Sequence, residues 1–255
     1  MPSKVLRIAA FWVAVLVAWQ LIAIAEIWSP YLFPTPVAVG RSLIKNAQSG
    51  MLLDALWHSL ARLAVGYAIS MLLGLGLGLG VLCATSRYAD ETIGVIVLGL
   101  QSLPSITWLP MAVLWFGLSE QAIVFVVLMG STFSIAISAR SGIRGLPPLL
   151  QRAAGTLGAS RWQMYCYVTV PAMVPAMVQG MKQGWSFAWR SLMAGELLFV
   201  VAGLGHLLDV GRNLNDISMV FSIMLVIILV GVAIDRVLFG RAEAWIRERW
   251  GYSAA

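Results

Sequence analysis

Six long stretches of this chain, at residues 8–28, 60–84, 91–117, 121–139, 172–200 and 217–239, are apolar and almost free of charge. A helix rises 1.5 Å per residue and needs about 20 residues to cross the hydrocarbon of a bilayer, so stretches of this length can span it. Backbone amides in lipid must be bonded within a helix or a closed barrel. Barrel strands of about 10 residues with alternating polarity do not match these continuous runs. The sequence therefore predicts an all-α membrane protein of six transmembrane helices, a single domain over residues 1–255 with no soluble domain. Composition agrees. Of the 255 residues 60% are hydrophobic and 11% charged, with a mean hydropathy of +0.87, whereas a soluble domain carries about 25% charged residues.

Lys4 and Arg7 precede an apolar stretch ending in Ala23-Ile24-Ala25, which imitates a cleavable signal peptide. That run exceeds the usual 7 to 15 residues of a signal core, approximately, and leads into more membrane sequence, so an uncleaved first helix is expected. Two cysteines, Cys83 and Cys166, make no disulfide framework, and two histidines, His58 and His206, are too few for a metal site. No cofactor is expected in the chain.

If six helices alternate, Arg87, Arg140, Arg144, Arg152, Arg161, Arg241, Arg247 and Arg249 fall on the same side as Lys4 and Arg7, and the other side holds mainly Arg41, Lys45 and Arg212. The excess of basic residues marks the cytoplasmic side, which places both termini there. This asymmetry accounts for the net charge of +6 without a nucleic-acid partner. The tail "RAEAWIRERW" reads as an interfacial helix at the lipid headgroups.

Outside the spans, Thr35 is positioned as an N-cap with Pro36 at the first helical position, predicting a short surface helix that ends near Gly50. Asp54, His58 and Arg62 then share one helical face. No nucleophile or oxyanion site accompanies them, so they read as a polar stripe and not a catalytic group. In the second span Gly66, Ser70, Gly74 and Gly78 form one ladder of small residues and Gly76, Gly80 and Ala84 another, predicting close helix packing within the subunit or across a dimer. Pro104 and Pro110 each remove a backbone donor from the third span and are expected to kink it, as in a helix lining a pathway.

The stretch "RAAGTLGASRWQMYCYVTVPAMVP", within a polar segment at residues 140–171, is unlike the apolar runs around it. Pro147 and Pro148 suit a helix start, Gly158 suits the left-handed residue that ends one, and Ser160 with Gln163 has the spacing of a capping box. Two short helices at an angle are predicted on the cytoplasmic surface, suited to docking in a groove of another protein.

These residues resemble the permease subunits of binding-protein-dependent ABC importers, whose cytoplasmic loop reads E-A-A-x3-G-x9-I-x-L-P. Ala153, Ala154, Gly158 and Pro171 match it, Val168 and Val170 are apolar equivalents, and Arg152 stands where the family has an acid. "PTPVAVGRSL", "SLPSITWLPMAVLWFGL", "LGASRWQ", "AWRSLMAGEL" and "GRNLND" look like the branch that handles aliphatic sulfonates, nitrate or taurine. The resemblance implies a type I importer permease fold with cytoplasmic coupling helices in a bacterial inner membrane. It implies a second permease subunit, by preference a second copy of this chain, and two ATPase subunits that carry the ATP and Mg. It also implies a periplasmic or lipid-anchored solute-binding protein. The coupling residues it implies are Arg152, Ala153, Ala154, Gly155, Leu157, Gly158, Ser160 and Arg161. The chain has no G-x-x-x-x-G-K-[ST] run to cradle nucleotide phosphates, so it is not expected to be the enzyme.

In the fifth span Lys182 lies towards the cytoplasmic end, where it can snorkel, Arg190 lies about mid-span, and Glu196 lies further out. Charges at such depth face a cavity or a partner. The candidate pathway or gate residues are Pro104, Trp108, Pro110, Trp189, Arg190 and Glu196. Arg190 either ties the bundle together or lines the route of an anion. Pyrimidine- or riboflavin-like solutes are the alternative cargo. A secondary transporter is the competing class, though no internal repeat or pair of discontinuous helices is evident.

Overall fold

The computed structural model describes residues 2–29, 31–83 and 87–250, and every regular element among them is helical. In chain order these are α1 (Pro2–Ile24), α2 (Pro36–Gln48), α3 (Met51–Cys83), α4 (Arg87–Ser102), α5 (Leu109–Phe116) and α6 (Glu120–Arg144). The remainder are α7 (Pro148–Thr156), α8 (Arg161–Gln163), α9 (Val170–Leu198), α10 (Leu204–Asn213), α11 (Ile217–Ile234) and α12 (Gly240–Trp250). Four helical segments are long and apolar enough to cross a membrane, Leu6–Ile24, Met51–Gly80, Glu120–Arg144 and Ile217–Ile246. A fifth, Glu91–Ser102 with Ser105–Phe116, is bent by 93°. The remaining expected span, α9, is a 29-residue helix whose apolar character is diluted by Gln179, Lys182, Gln183, Arg190 and Glu196.

Several sequence boundaries shift. The second span starts at Met51, so the Asp54, His58 and Arg62 face belongs to the helix itself. Its end includes Ala84, which lies outside the described residues. The fourth extends to Arg144, drawing Arg140 and Arg144 into the helix. The sixth runs on through a π-helical stretch at Asp235–Phe239 into α12, so the basic tail continues the helix.

The two prolines of the third span act differently. Pro104 ends α4 and is followed by a 3₁₀ turn at Ser105–Trp108. Pro110 lies in the first turn of α5, where a helix has no acceptor for its N–H in any case. It starts a helix and does not kink one.

The chain forms two compact units. One comprises Met1–Ser59 and Glu196–Leu229. Within it, the Thr35 hydroxyl caps α2 by accepting from the Ala38 N–H at 3.2 Å, and Gly50 adopts φ +79° where the helix ends. Trp19 donates to the Pro34 carbonyl at 3.0 Å and packs against Phe33 and Phe221. Asn215 takes a left-handed φ of +55°, and Asp216 then caps α11 by accepting from the Met219 N–H at 2.9 Å, which gives "GRNLND" a local role as a helix-to-helix turn.

The other unit comprises Leu60–Gly195 and Val230–Ala255 and is built around α6. A Cβ on Gly78 of α3 would lie 2.5 Å from Ala139 Cβ and 2.8 Å from the Ala136 carbonyl, and one on Gly74 would lie 2.7 Å from the Thr132 carbonyl. The Ser70 and Ser131 hydroxyls meet at 2.7 Å on the same seam. Among the described residues nothing lies within 4 Å of such an atom on Gly76 or Gly80. The first small-residue ladder therefore packs within the subunit. On a neighbouring seam, which shares Ile135, Gly180 and Gly184 of α9 pack against Ser138 and Ile135 of α6. Tyr67 donates to the Met181 carbonyl at 2.7 Å, linking α3 to α9, and the buried Arg62 pairs with Glu120 at 3.0 Å.

Replacing Gly78 by Ala inserts a methyl where no space exists, and overpacking of this kind costs about 1–3 kcal/mol. The Gly76→Ala change meets nothing and gains up to about 1 kcal/mol of helix propensity. Thermal unfolding of the purified chain in detergent should show a lower Tm for the first variant and an unchanged or higher one for the second. Equal Tm values would contradict the packing direction assigned to the two ladders.

Candidate functional site

The polar segment folds by its local chemistry. Pro148 opens α7, and its last turn closes through Leu157 N–H to the Ala153 carbonyl at 3.2 Å and Ala159 N–H to the Ala154 carbonyl at 3.1 Å. Gly158 supplies the left-handed residue, φ +78°, at which a side chain is strained. The capping box is complete: Ser160 N–H donates to Gln163 Oε1 at 2.8 Å, and Gln163 N–H donates to Ser160 Oγ at 3.3 Å.

The second helix differs from expectation. It does not stop after a short run, because nothing after Gln163 ends it. A π-helical stretch at Met164–Thr169 carries α8 into α9, and the Val170 N–H bonds five residues back to the Tyr165 carbonyl. The slip falls immediately before Pro171, which has no N–H to offer the ladder. Arg152, Ala153 and Gly155 are exposed and Ala154 is buried. Around them stand uncovered apolar side chains: Leu157 is 87% exposed, Trp162 74% and Tyr167 78%. A groove of about 810 Å³ beside them is lined by Gly142, Leu146, Leu150, Tyr167, Pro171 and Pro175 among others. Leu149, Trp162 and Tyr167 extend the surface beyond the motif residues. Their signal in the sequence was apolar residues in a segment too short to span.

A second polar feature lies at the Pro104 break. A cavity of about 260 Å³ is lined by Gln101, Pro104, Ser105, Gly130, Phe187 and Arg190, among others. Arg190 is exposed, donates from Nε to the Ser186 carbonyl at 3.1 Å and lays its guanidinium over the Phe187 ring at 4.8 Å. Pro104 and Arg190 thus come together. Gln101, Ser105 and Gly130 were not singled out from the sequence, since pairing them with Arg190 requires the 93° bend.

Other sequence-selected residues lie elsewhere. Trp108 packs edge-on to Phe125, and Trp189 is buried in a stack on Trp185 with Gly231 against it. Lys182 does not snorkel alone but pairs with Glu243 at 3.0 Å and Asp235 at 3.7 Å. Glu196 is fully buried. Its Oε2 accepts from Ser59 Oγ at 2.7 Å and Gly205 N–H at 3.1 Å, while Ser59 Oγ accepts from Leu204 N–H at 2.9 Å. A Cβ at Gly203 would collide with this carboxylate. Glu196 and Ser59 together satisfy the first N–H groups of α10, at the end of a helix that favours negative charge.

The family model described as "Binding-protein-dependent transport system inner membrane component" matches residues 76–241. A protein of Methanocaldococcus jannaschii named as an ABC transporter permease is 32% identical over 225 residues, 86% of this chain and 83% of its own length. The taurine transport system permease protein of Escherichia coli is 27% identical over 238 residues, 90% of this chain and 86% of its own length. A solved structure of the MetNI methionine ABC transporter in inward-facing conformations matches with a TM-score of 0.64 at 18% identity, covering 77% of this chain and 96% of that chain. At that identity the likeness is one of fold.

Removing the Glu196 carboxylate as Glu196→Ala leaves the Ser59 hydroxyl and the Gly205 N–H buried without this acceptor, at about 1–3 kcal/mol for each group. Ser59→Ala removes a smaller share of the network. Thermal unfolding in detergent should place Glu196→Ala below Ser59→Ala and both below the parent. An unchanged Tm for Glu196→Ala would exclude the anchoring role.

Proposed function

This chain belongs to the family of binding-protein-dependent transport system inner membrane components, with a type I importer permease fold, and from that premise we propose how it works. It forms the translocation pathway for a small oxyanion of the sulfonate or nitrate kind, in an importer driven by ATP hydrolysis on separate subunits. The reading of the cargo is supported by the taurine relative and by the sequence stretches that resemble the sulfonate, nitrate and taurine branch.

The observation that carries the coupling role is the Gly158 turn between α7 and α8, rimmed by Leu157, Trp162 and Tyr167. Apolar side chains uncovered on a polar segment are suited to burial in a partner. That partner is an ATPase holding the ATP and Mg, since this chain has no phosphate-cradling run. We assign Arg152, Ala153, Ala154, Gly155, Leu157, Gly158, Ser160 and Arg161 to this coupling segment. Arg152 in place of the motif acid favours an acidic patch on the ATPase, a reversal of sign. The termini and this surface lie in the cytoplasm, by the distribution of basic residues. Two copies of the chain, two ATPase subunits and an external solute-binding protein complete the assembly.

The test is reconstitution of the permease with its ATPase and binding protein in proteoliposomes, reading ATP-driven uptake of taurine. Gly158→Val strains the left-handed turn by about 1–2 kcal/mol and should abolish uptake while the membrane helices remain inserted. Normal uptake with normal ATPase assembly in this variant would reject the coupling role.

A further inference from the structure

We propose that the cavity at the Pro104 break binds a monovalent oxyanion, with Arg190 as its charge and Gln101 and Ser105 as its neutral donors. This deepens the import reading and rests on it for the identity of the cargo, while the binding itself can be measured apart from transport.

Size comes first. The cavity is about 260 Å³, just below the roughly 300–1,000 Å³ of pockets for drug-sized ligands and several times the roughly 30 Å³ of one water. It suits a solute of a few heavy atoms that keeps part of its hydration.

Charge comes next. Among the described residues no acid lines this cavity, and Arg190 is the one formal charge there. A charge within a membrane helix faces a water-filled cavity, another charge or a backbone carbonyl. Among the described residues Arg190 makes no ion pair; its hydrogen bond goes to the Ser186 carbonyl of its own helix. That bond engages Nε, and the Phe187 ring supports the guanidinium plane at 4.8 Å. The terminal nitrogens are left for a ligand, and a guanidinium binds oxyanions through two parallel N–H groups.

The neutral donors follow from backbone geometry. The Pro104 break turns the chain by 93°, which brings Gln101 at the end of α4 and Ser105 at the start of the 3₁₀ turn to one lining. Gly130 of α6 allows this approach, because a Cβ there would lie 3.1 Å from Ser105 Cβ and would collide with Ser191 Oγ. An amide and a hydroxyl can each donate to an anion without adding charge. A single cation neutralises a sulfonate or nitrate and leaves half the charge of a dianion such as sulfate uncompensated, so the lining selects for monovalent oxyanions.

The experiment titrates the full-length chain in detergent with methanesulfonate, its neutral near-isostere dimethyl sulfone, and sulfate, reading binding by calorimetry. Methanesulfonate should bind more tightly than either of the others. Arg190→Gln should weaken it by at least about tenfold, with Arg190→Lys retaining part of the affinity. Equal affinity for dimethyl sulfone, or unchanged methanesulfonate affinity in Arg190→Gln, would overturn the proposal. If Arg190→Gln does not fold, the double variant Gln101→Ala with Ser105→Ala decides, since it removes both donors and no charge: weaker binding supports the site and parental affinity overturns it. Absence of ATP-driven uptake by the parent complex would remove the import reading alone. Arg190-independent binding in a complex that does import would remove this inference alone.

Discussion

The packing of α6 against glycines of both α3 and α9 is the constraint on which the larger unit depends. Hydrocarbon offers two apolar helices no gain for leaving it, so association rests on van der Waals contact at short range and on hydrogen bonds between helices. Gly74 and Gly78 bring the α3 backbone onto α6, and Gly180 and Gly184 bring α9 onto it along a neighbouring seam, with Ile135 between them. Side chains at these positions would hold the axes apart and with them the Ser70–Ser131 and Tyr67–Met181 bonds. Gly130, also on α6, accommodates the turn after Pro104. The cavity beside Arg190 thus inherits its shape from the spacing of α6 and α9.

What could be read from the sequence was what local chemistry decides. Thr35, Gly50, Gly158 and the Ser160–Gln163 pair each act within four residues of themselves, and each has the capping or turn geometry its residue type predicts. The long apolar runs were equally legible, because the thickness of a bilayer sets their length. The extent of the helices was less so: Arg140 and Arg144 are polar enough to read as loop, yet nothing in them stops a helix. Pro110 was misread as a kink because its effect depends on whether a helix begins or continues there, and the break at Pro104 settles that.

Long-range pairing was not legible. The choice of α6 as neighbour by one glycine ladder of α3, and of open space by the other, is a matter of tertiary contact. Glu196 illustrates the same limit: mid-sequence it is one more costly charge in an apolar run, and only the return of α10 to Ser59 shows that it serves a helix N-terminus. Arg190 and Glu196 look alike in the sequence but have opposite surroundings. The acid is fully buried among donors, whereas the cation lies in a cavity lining without an acid.

The same helical run joins the two candidate features. From Arg161 the chain is helical through α8, the π stretch and α9 as far as Leu198. An ordinary break at Pro171 would have separated the α7–α8 turn from the rest of α9, since proline both lacks an N–H and crowds the preceding turn. The π stretch avoids this by shifting the ladder one residue before the proline, with Val170 bonded to Tyr165. The same helix carries Pro175 in its interior, Gly180 and Gly184 against α6, and Arg190 at the Pro104 break. Small residues on that seam permit close packing, with Ile135 of α6 seated against Gly184 and Ser138 against Gly180. Arg190 on α9 and Gln101 and Ser105 beside the Pro104 break, two different parts of the chain, thus line one cavity whose shape depends on that seam.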